Sequence, residues 1–459
     1  MNIFERILSW LGLPQPVTSQ TPQNDEIHRL IGAGQRAKHI EDYPLALDFY
    51  DQAIALAQSQ HLNTIRLGVS LFKAEVMIEQ GALEDAERLL WELYPQAEKT
   101  VENSAYALVN FGRLEQAKGE TEIALSYYER AQQSAQKAHM PGAEGRALGF
   151  MAGIYLAQDN ASYALHLLPQ AIHKINSAGD MEYNSLFFGY LGQAKIASGN
   201  EAEGEKDLRS AIHFAEVMQN HRMERHWRLV LGNIMMKKPQ FDEAYKQFKH
   251  ALPLFKNYPD KALHIRTLVS LTRASLHFRN VGESLHYAQT AMSLNAGDPE
   301  LLPEIQAITG VVLHAKGDHE EAIEHLQAAL KHLRTAEIVR NIAAAQHAIR
   351  HDAEAEKHYR EALALAAAEG DTAQQARTHV RLGLFYSERY KMQAAIEEWQ
   401  AALQLYQQLR YHAQVASLYC DIGNARKYLG QGARAIKEYE AALMALNSVD
   451  DIHVRGVVL

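Results

Sequence analysis

The sequence contains a single cysteine, Cys420, in 459 residues. That excludes an intramolecular disulfide and any cysteine-rich zinc site, and it suits a reducing compartment. The expected location is the cytoplasm. Proline and glycine are sparse, at 12 and 27 residues, which leaves little punctuation for loops and favours long helices. There is no excess of positive charge: Lys and Arg number 46 against 55 Asp and Glu, a formal net charge of -9. The chain therefore lacks the globally basic surface of a nucleic-acid binder. No apolar run approaches the roughly 18 residues that a membrane helix needs. The first thirteen residues, Met1 to Leu13, carry an apolar stretch broken by Glu5 and Arg6, with no small-residue cleavage site, unlike a secretory signal.

Catalytic signatures are absent as well. There is no GxxxxGK[ST] phosphate loop, no GxSxG elbow and no HExxH, and His319 and His325 are wrongly spaced for one metal. Gly430-Gln431-Gly432 follows no strand and reads as a turn between helices. Histidines are numerous, at 23, but scattered, and nothing in their placement favours pH sensing. His347 and His351 stand four apart, the spacing of two ligands on one helix face, yet no third ligand lies near and His351 falls where a helix should end. Solvated histidines are the expectation there. Cys420, beside Leu418 and Tyr419, reads as a packing residue and not a nucleophile. The reading is a chain that is not an enzyme and needs no metal or cofactor.

What is present is a repeat. With 47% hydrophobic and 22% charged residues the composition is that of an ordered chain. A small residue is followed four on by an aromatic or leucine and three further by alanine, as in Ala46, Tyr50, Ala53 and in Ala395, Trp399, Ala402. Eleven copies begin at Ala46, Ala86, Ala124, Ala164, Gly204, Ala244, Ser284, Ala322, Ala355, Ala395 and Ala435. Seven of the ten spacings are 40 residues, two are 38 and one is 33. Twelve residues before each first member lies another small position, Gly or Ala in ten of eleven cases and Thr272 in the other. Two helices approach closely only where one offers a small side chain to a large one, and glycine inside a helix costs about 1 kcal/mol against alanine. A recurring glycine therefore marks close packing. Gly81, Gly119, Gly199, Gly317 and Gly430 read as the turns between paired helices.

The Leu-Gly pairs (Leu191–Gly192, Leu231–Gly232, Leu382–Gly383) and the Ala, aromatic, Ala series resemble the tetratricopeptide repeat, a helix-turn-helix unit. The period is longer than that family's 34 residues and is similar to its long-helix subclass, found in kinesin light chains, LGN-type adaptors and MalT-like regulators. The resemblance implies an all-α, right-handed α-solenoid of about eleven repeats over residues 26–447. Repeat seven (Thr272, Ser284, Ala288) matches worst, and the breakers Asn295 to Pro299 with Pro303 predict a hinge near 294–303. Pro169 is expected to kink a second helix. The 33-residue spacing predicts shorter helices between repeats eight and nine. Residues 1–13 read as an amphipathic helix, 14–25 as a flexible linker and 448–459 as a tail. The N-terminal helix has three fates: capping the array, binding a partner, or lying on a membrane, the last disfavoured by its single arginine.

In the family the resemblance points to, ligand contacts lie on the first helix of each pair, on the concave side. Carried onto this sequence, those positions hold eight cations, Lys38, Arg113, Arg146, Arg266, Arg273, Arg340, Arg377 and Lys427, against Glu75, Glu304 and Glu337. Gln35, Gln116, Gln193, Asn233 and Asn424 add side chains able to bond a peptide backbone. A groove so lined would draw an acidic protein or peptide inward. Around repeats four and five its lining shrinks to Gly149, Gly153, Leu156, Leu186, Gly189 and Ile196, which admits a bulky ligand or a tightly coiled superhelix. The function read from the sequence is a non-catalytic interaction scaffold binding a peptide or partner helix, with no nucleic acid. A MalT-like ligand sensor and a membrane-tethered assembly factor are the alternatives.

Overall fold

Helix propensity and the small–large pairing rule act together along the whole chain. The computed structural model describes residues 22–99, 101–238, 240–256 and 260–446, and among them every regular element is helical. The helices alternate as first and second members of antiparallel pairs. In chain order they are α1 Pro22–His39, α2 Tyr43–Ser59, α3 Asn63–Gln80, α4 Leu83–Ala97, α5 Val101–Lys118 and α6 Thr121–Lys137. They continue with α7 Pro141–Ala157, α8 Ala161–Ser177, α9 Asn184–Ala197, α10 Glu201–Val217, α11 His221–Lys237 and α12 Phe241–Ala251. The remainder are α13 Lys261–His277, α14 Val281–Asn295, α15 Leu302–Lys316, α16 His319–Leu330, α17 Ala336–Ala348, α18 Asp352–Ala368, α19 Thr372–Ser387, α20 Met392–Gln408, α21 His412–Tyr428 and α22 Gly432–Leu446. Each of the eleven repeats is one such pair.

The repeat's two small positions explain the pairing. A Cβ placed on Gly34 would lie 2.6 Å from the Tyr50 ring, on Gly112 2.4 Å from Tyr128, on Gly232 2.4 Å from Phe248, and on Gly383 2.4 Å from Trp399. In each pair a glycine of the first helix makes the slot into which the second helix inserts its large side chain. Those side chains are deeply buried: Tyr50, Tyr128 and Phe248 are at most 1% exposed and Trp399 is 5% exposed. Repeat seven solves the same problem differently. Thr272, Ser275 and Ser284 are fully buried. Ser275 Oγ and Ser284 Oγ are 2.8 Å apart, and Thr272 Oγ1 donates to the Leu268 carbonyl at 2.8 Å, so each small polar residue keeps a hydrogen bond.

The turns are only half as legible. Gly81, Gly119, Gly199, Gly317 and Gly430 all take the left-handed conformation that ends a helix. Glu41, Asp159, Arg350, Tyr390 and Arg410 take it too, at φ 57 to 64°. The same closing hydrogen bond forms in both cases: Ala82 N donates to Met77 O at 2.9 Å after Gly81, and Asp42 N to Ala37 O at 2.8 Å after Glu41. A search keyed on glycine misses the second group.

The described chain forms two compact units, one ending at Asp260 and the other starting at Lys261. The division falls at the end of repeat six. Pro253 turns the end of α12 into a 3-10 segment, Leu252–Phe255, and the repeat ends there. Residues 294–303 lie inside the second unit, where α14 ends and α15 begins; between them Ala296 takes φ 49° and Asn295 Nδ2 donates to the Asp298 carbonyl at 2.9 Å. Helix α8 continues through Pro169. The short spacing does shorten its helices, to 12 residues in α16 and 13 in α17. Residues 22–25, assigned to the linker by composition, belong to α1. The helix at 1–13, residues 14–21 of the linker and the tail at 448–459 lie outside the described residues. No described helix is long and apolar enough to cross a membrane.

Candidate partner-binding faces

Unit 1 carries Gln35, Lys38, Arg113, Arg146, Gln193 and Asn233 on its first helices. Three of the cations meet acids of the same unit. Lys38 Nζ lies 2.6 Å from Glu75 Oε1 and also contacts Glu182. Arg113 Nη2 donates to Glu79 at 2.8 Å and its Nη1 lies 3.2 Å from Glu75. Arg146 Nε donates to Asp180 Oδ2 at 2.7 Å. All of these side chains are buried or nearly so. Burial opposes the charge on Lys38, yet Glu182, Glu75 and Glu79 hold its ammonium well above the ordinary lysine value. Glu75, also resisted by burial, is held far below the carboxylate range by Lys38, Arg113 and Arg146. Glu182 goes the other way: burial, with Glu75 and Asp180 nearby, pushes it up to about 7 against Lys38 and Arg146. One carboxylate of the set is ionised at all ordinary pH and another titrates near neutrality.

The unit also coils back on itself. Arg225 of α11 donates from both terminal nitrogens to Glu41 of the α1–α2 turn, the second bond at 2.8 Å. The small residues of repeats four and five make this coiling tight. A Cβ on Gly149 would lie 2.1 Å from the Phe187 ring, one on Gly153 2.6 Å from Tyr190, and one on Gly189 2.1 Å from Trp227. Each glycine admits an aromatic from the next first helix, so the gap read as room for a ligand is filled by the chain. A cavity beside Glu75 and Arg146, lined also by Phe72, Tyr106 and Asn110, measures about 20 Å³, the space of a water. Gln35 and Gln193 are half-buried and Asn233 is exposed.

Unit 2 is different. Arg266, Arg273, Arg377, Asn424 and Lys427 are exposed, as is Glu304. Arg340 is 8% exposed and donates to Gln374 Oε1. Arg273 Nη2 lies 3.7 Å from Glu337 Oε1. The side chains of Arg266, Arg377, Arg381 and Lys427 have no hydrogen bond or ion pair among the described residues. Burial, then the neighbouring Arg377 and Arg381, lower Arg340 to about 10 despite Glu337. Glu337, disfavoured by burial, is nonetheless held below its ordinary value by Arg273, Arg340 and Arg377. Three arginines on three first helices thus act on one carboxylate, and Arg381 adds a fourth cation beside Arg340. Arg381 falls between the family's contact positions, so reading those positions alone passes over it.

The remaining candidates are structural. His347 Nε2 lies 3.0 Å from Glu388 Oε2 and its ring packs edge-on against Phe385, with centroids 5.2 Å apart. His351 caps α18. No group of three or more metal-ligating side chains occurs among the described residues. Cys420 is half-buried, and burial with Asp421 raises its thiol above the ordinary value.

No protein-family model matches the sequence, and no curated protein matches it. Solved structures do. The STAND protein with a tetratricopeptide repeat sensor from Pyrococcus horikoshii matches with a TM-score of 0.54 at 14% identity, over 74% of this chain and 55% of that one. The fold is a TPR-like helical repeat. This TPR-like chain spans about half of that STAND protein. The apo form of the quorum sensor NprR from B. thuringiensis matches at TM-score 0.49 and 15% identity, over 72% of this chain and 97% of that one.

Proposed function

We propose that this TPR-like chain is a non-catalytic cytoplasmic scaffold that binds an acidic peptide or partner helix on the first helices of unit 2. The observation that carries the reading is Arg340. Its nearly buried guanidinium has Arg377 and Arg381 beside it and only Glu337 as a counter-charge. Such an excess is costly in a folded protein unless a ligand's carboxylates complete it. Arg273, Arg377 and Arg381 supply planar forks for those carboxylates, and Arg266, Asn424 and Lys427 extend the polar surface to either side.

The test is affinity capture of native partners by the full chain and by an Arg377→Glu/Arg381→Glu variant, with binding of the captured partner then titrated. Both residues are exposed, so the variant should fold normally. Its affinity should fall at least tenfold, and binding to the unaltered chain should weaken with added salt. Unchanged affinity in a folded double variant would defeat the reading.

A further inference from the structure

Residues 178–183 join α8 to α9. Six residues stand there, where the α6–α7 and α10–α11 connections have three. The extra length carries Asp180, Glu182 and Tyr183 onto the inner side of unit 1. Asp180 takes Arg146 Nε at 2.7 Å, and Glu182 takes Lys38. The Tyr183 ring lies under the Arg146 guanidinium at 4.6 Å and beside that of Arg113 at 5.8 Å. Its hydroxyl donates to Glu75 Oε1 at 2.8 Å and accepts from Arg113 Nη1 at 3.1 Å. The cations so engaged sit on three separate first helices, α1, α5 and α7. Glu182 reaches a lysine 144 residues away.

These contacts are of the kinds an acidic peptide makes with a basic groove. Carboxylates meet Lys and Arg, an aromatic ring lies against two guanidinium planes, and a hydroxyl bridges an acid and a base. The segment belongs to a connector and not to a helix, so its side chains are not placed by the helical packing rule. We propose that the inner face of unit 1 is a site for acidic peptides of the pattern Asp-x-Glu-Tyr, filled in cis by the chain's own residues 180–183. A partner segment of that chemistry reaches Lys38, Arg113 and Arg146 only by displacing the connector. The proposal concerns unit 1 alone and stands or falls independently of the arginine cluster of unit 2.

The test uses the full chain carrying Asp180→Ala, Glu182→Ala and Tyr183→Ala, together with a labelled octapeptide of residues 178–185 (AGDMEYNS). Fluorescence anisotropy should show saturable binding of the octapeptide to the variant. A connector held in cis acts at an effective concentration of about a millimolar, so the unaltered chain should bind the free peptide at least tenfold more weakly. A control peptide, AGNMQANS, should bind neither chain, and adding Arg146→Gln to the variant should abolish binding. If the triple variant does not fold by circular dichroism, millimolar AGDMEYNS should restore its helical signal where the control peptide does not. A folded variant that binds no octapeptide, an unfolded one the octapeptide does not rescue, or equal binding of the control overturns the proposal.

Discussion

Arg225, in the first helix of repeat six, forms a two-pronged ion pair with Glu41, in the turn after the first helix of repeat one, 184 residues earlier. In a helical repeat array each unit ordinarily touches only its neighbours. This contact joins the first repeat of unit 1 to its last, and Arg225 is 1% exposed.

Removing one partner of that pair should be expensive. Arg225→Met leaves Glu41 buried without its counter-charge, and we expect a loss of about 3–5 kcal/mol in urea denaturation. Glu41→Leu added to it should recover most of the loss. A single variant within about 0.5 kcal/mol of the parent would mean that the pair contributes nothing to closing the unit.

The Gly149 slot makes a second prediction. Alanine is the better helix former, yet its Cβ would meet Phe187 at 2.1 Å. Gly149→Ala should therefore destabilise unit 1 by about 1–3 kcal/mol, through overpacking. Trimming the ring with Phe187→Leu should reverse part of that cost, visible as a higher melting temperature in the double variant than in Gly149→Ala.

The left-handed turns offer the opposite sign. Arg410, exposed at φ 58° between α20 and α21, pays the steric cost of a Cβ in that conformation. Arg410→Gly should stabilise unit 2 by about 0.5–1 kcal/mol, since relief of strain outweighs the added freedom of the unfolded chain. A lower denaturation midpoint would show that the arginine side chain contributes more than its strain costs.

Acid should act through His314. Burial, with His319, Arg381 and His347 nearby, lowers its pKa from the ordinary imidazole value of 6.5 to about 4. The unfolded chain takes up the proton first, so this contribution is fully present above about pH 6.5 and is lost as pH falls to about 4. With its ring only half-buried, about 1–2 kcal/mol is at stake. Denaturation midpoints of His314→Gln should fall less steeply across that window than those of the parent. Parallel profiles would exclude the histidine as the cause.

The sequence by itself determined the repeat, its eleven helix pairs and the glycine–aromatic slots that join them. Those features depend on residues at most 16 apart, such as Gly383 and Trp399, and a fixed period displays them. It also placed Arg266, Arg273, Arg377 and Lys427 on an exposed face, because position along a first helix decides which way a side chain points. Tertiary structure alone decided which cations remain open. Lys38, Arg113 and Arg146 occupy the same repeat positions as the exposed Lys427, Arg273 and Arg266, but the folded unit brings Glu182 to Lys38, Glu75 and Glu79 to Arg113, and Asp180 to Arg146. Coulomb attraction depends on distance in space, and no period in the sequence records how far one turn of the coil brings residue 182 toward residue 38.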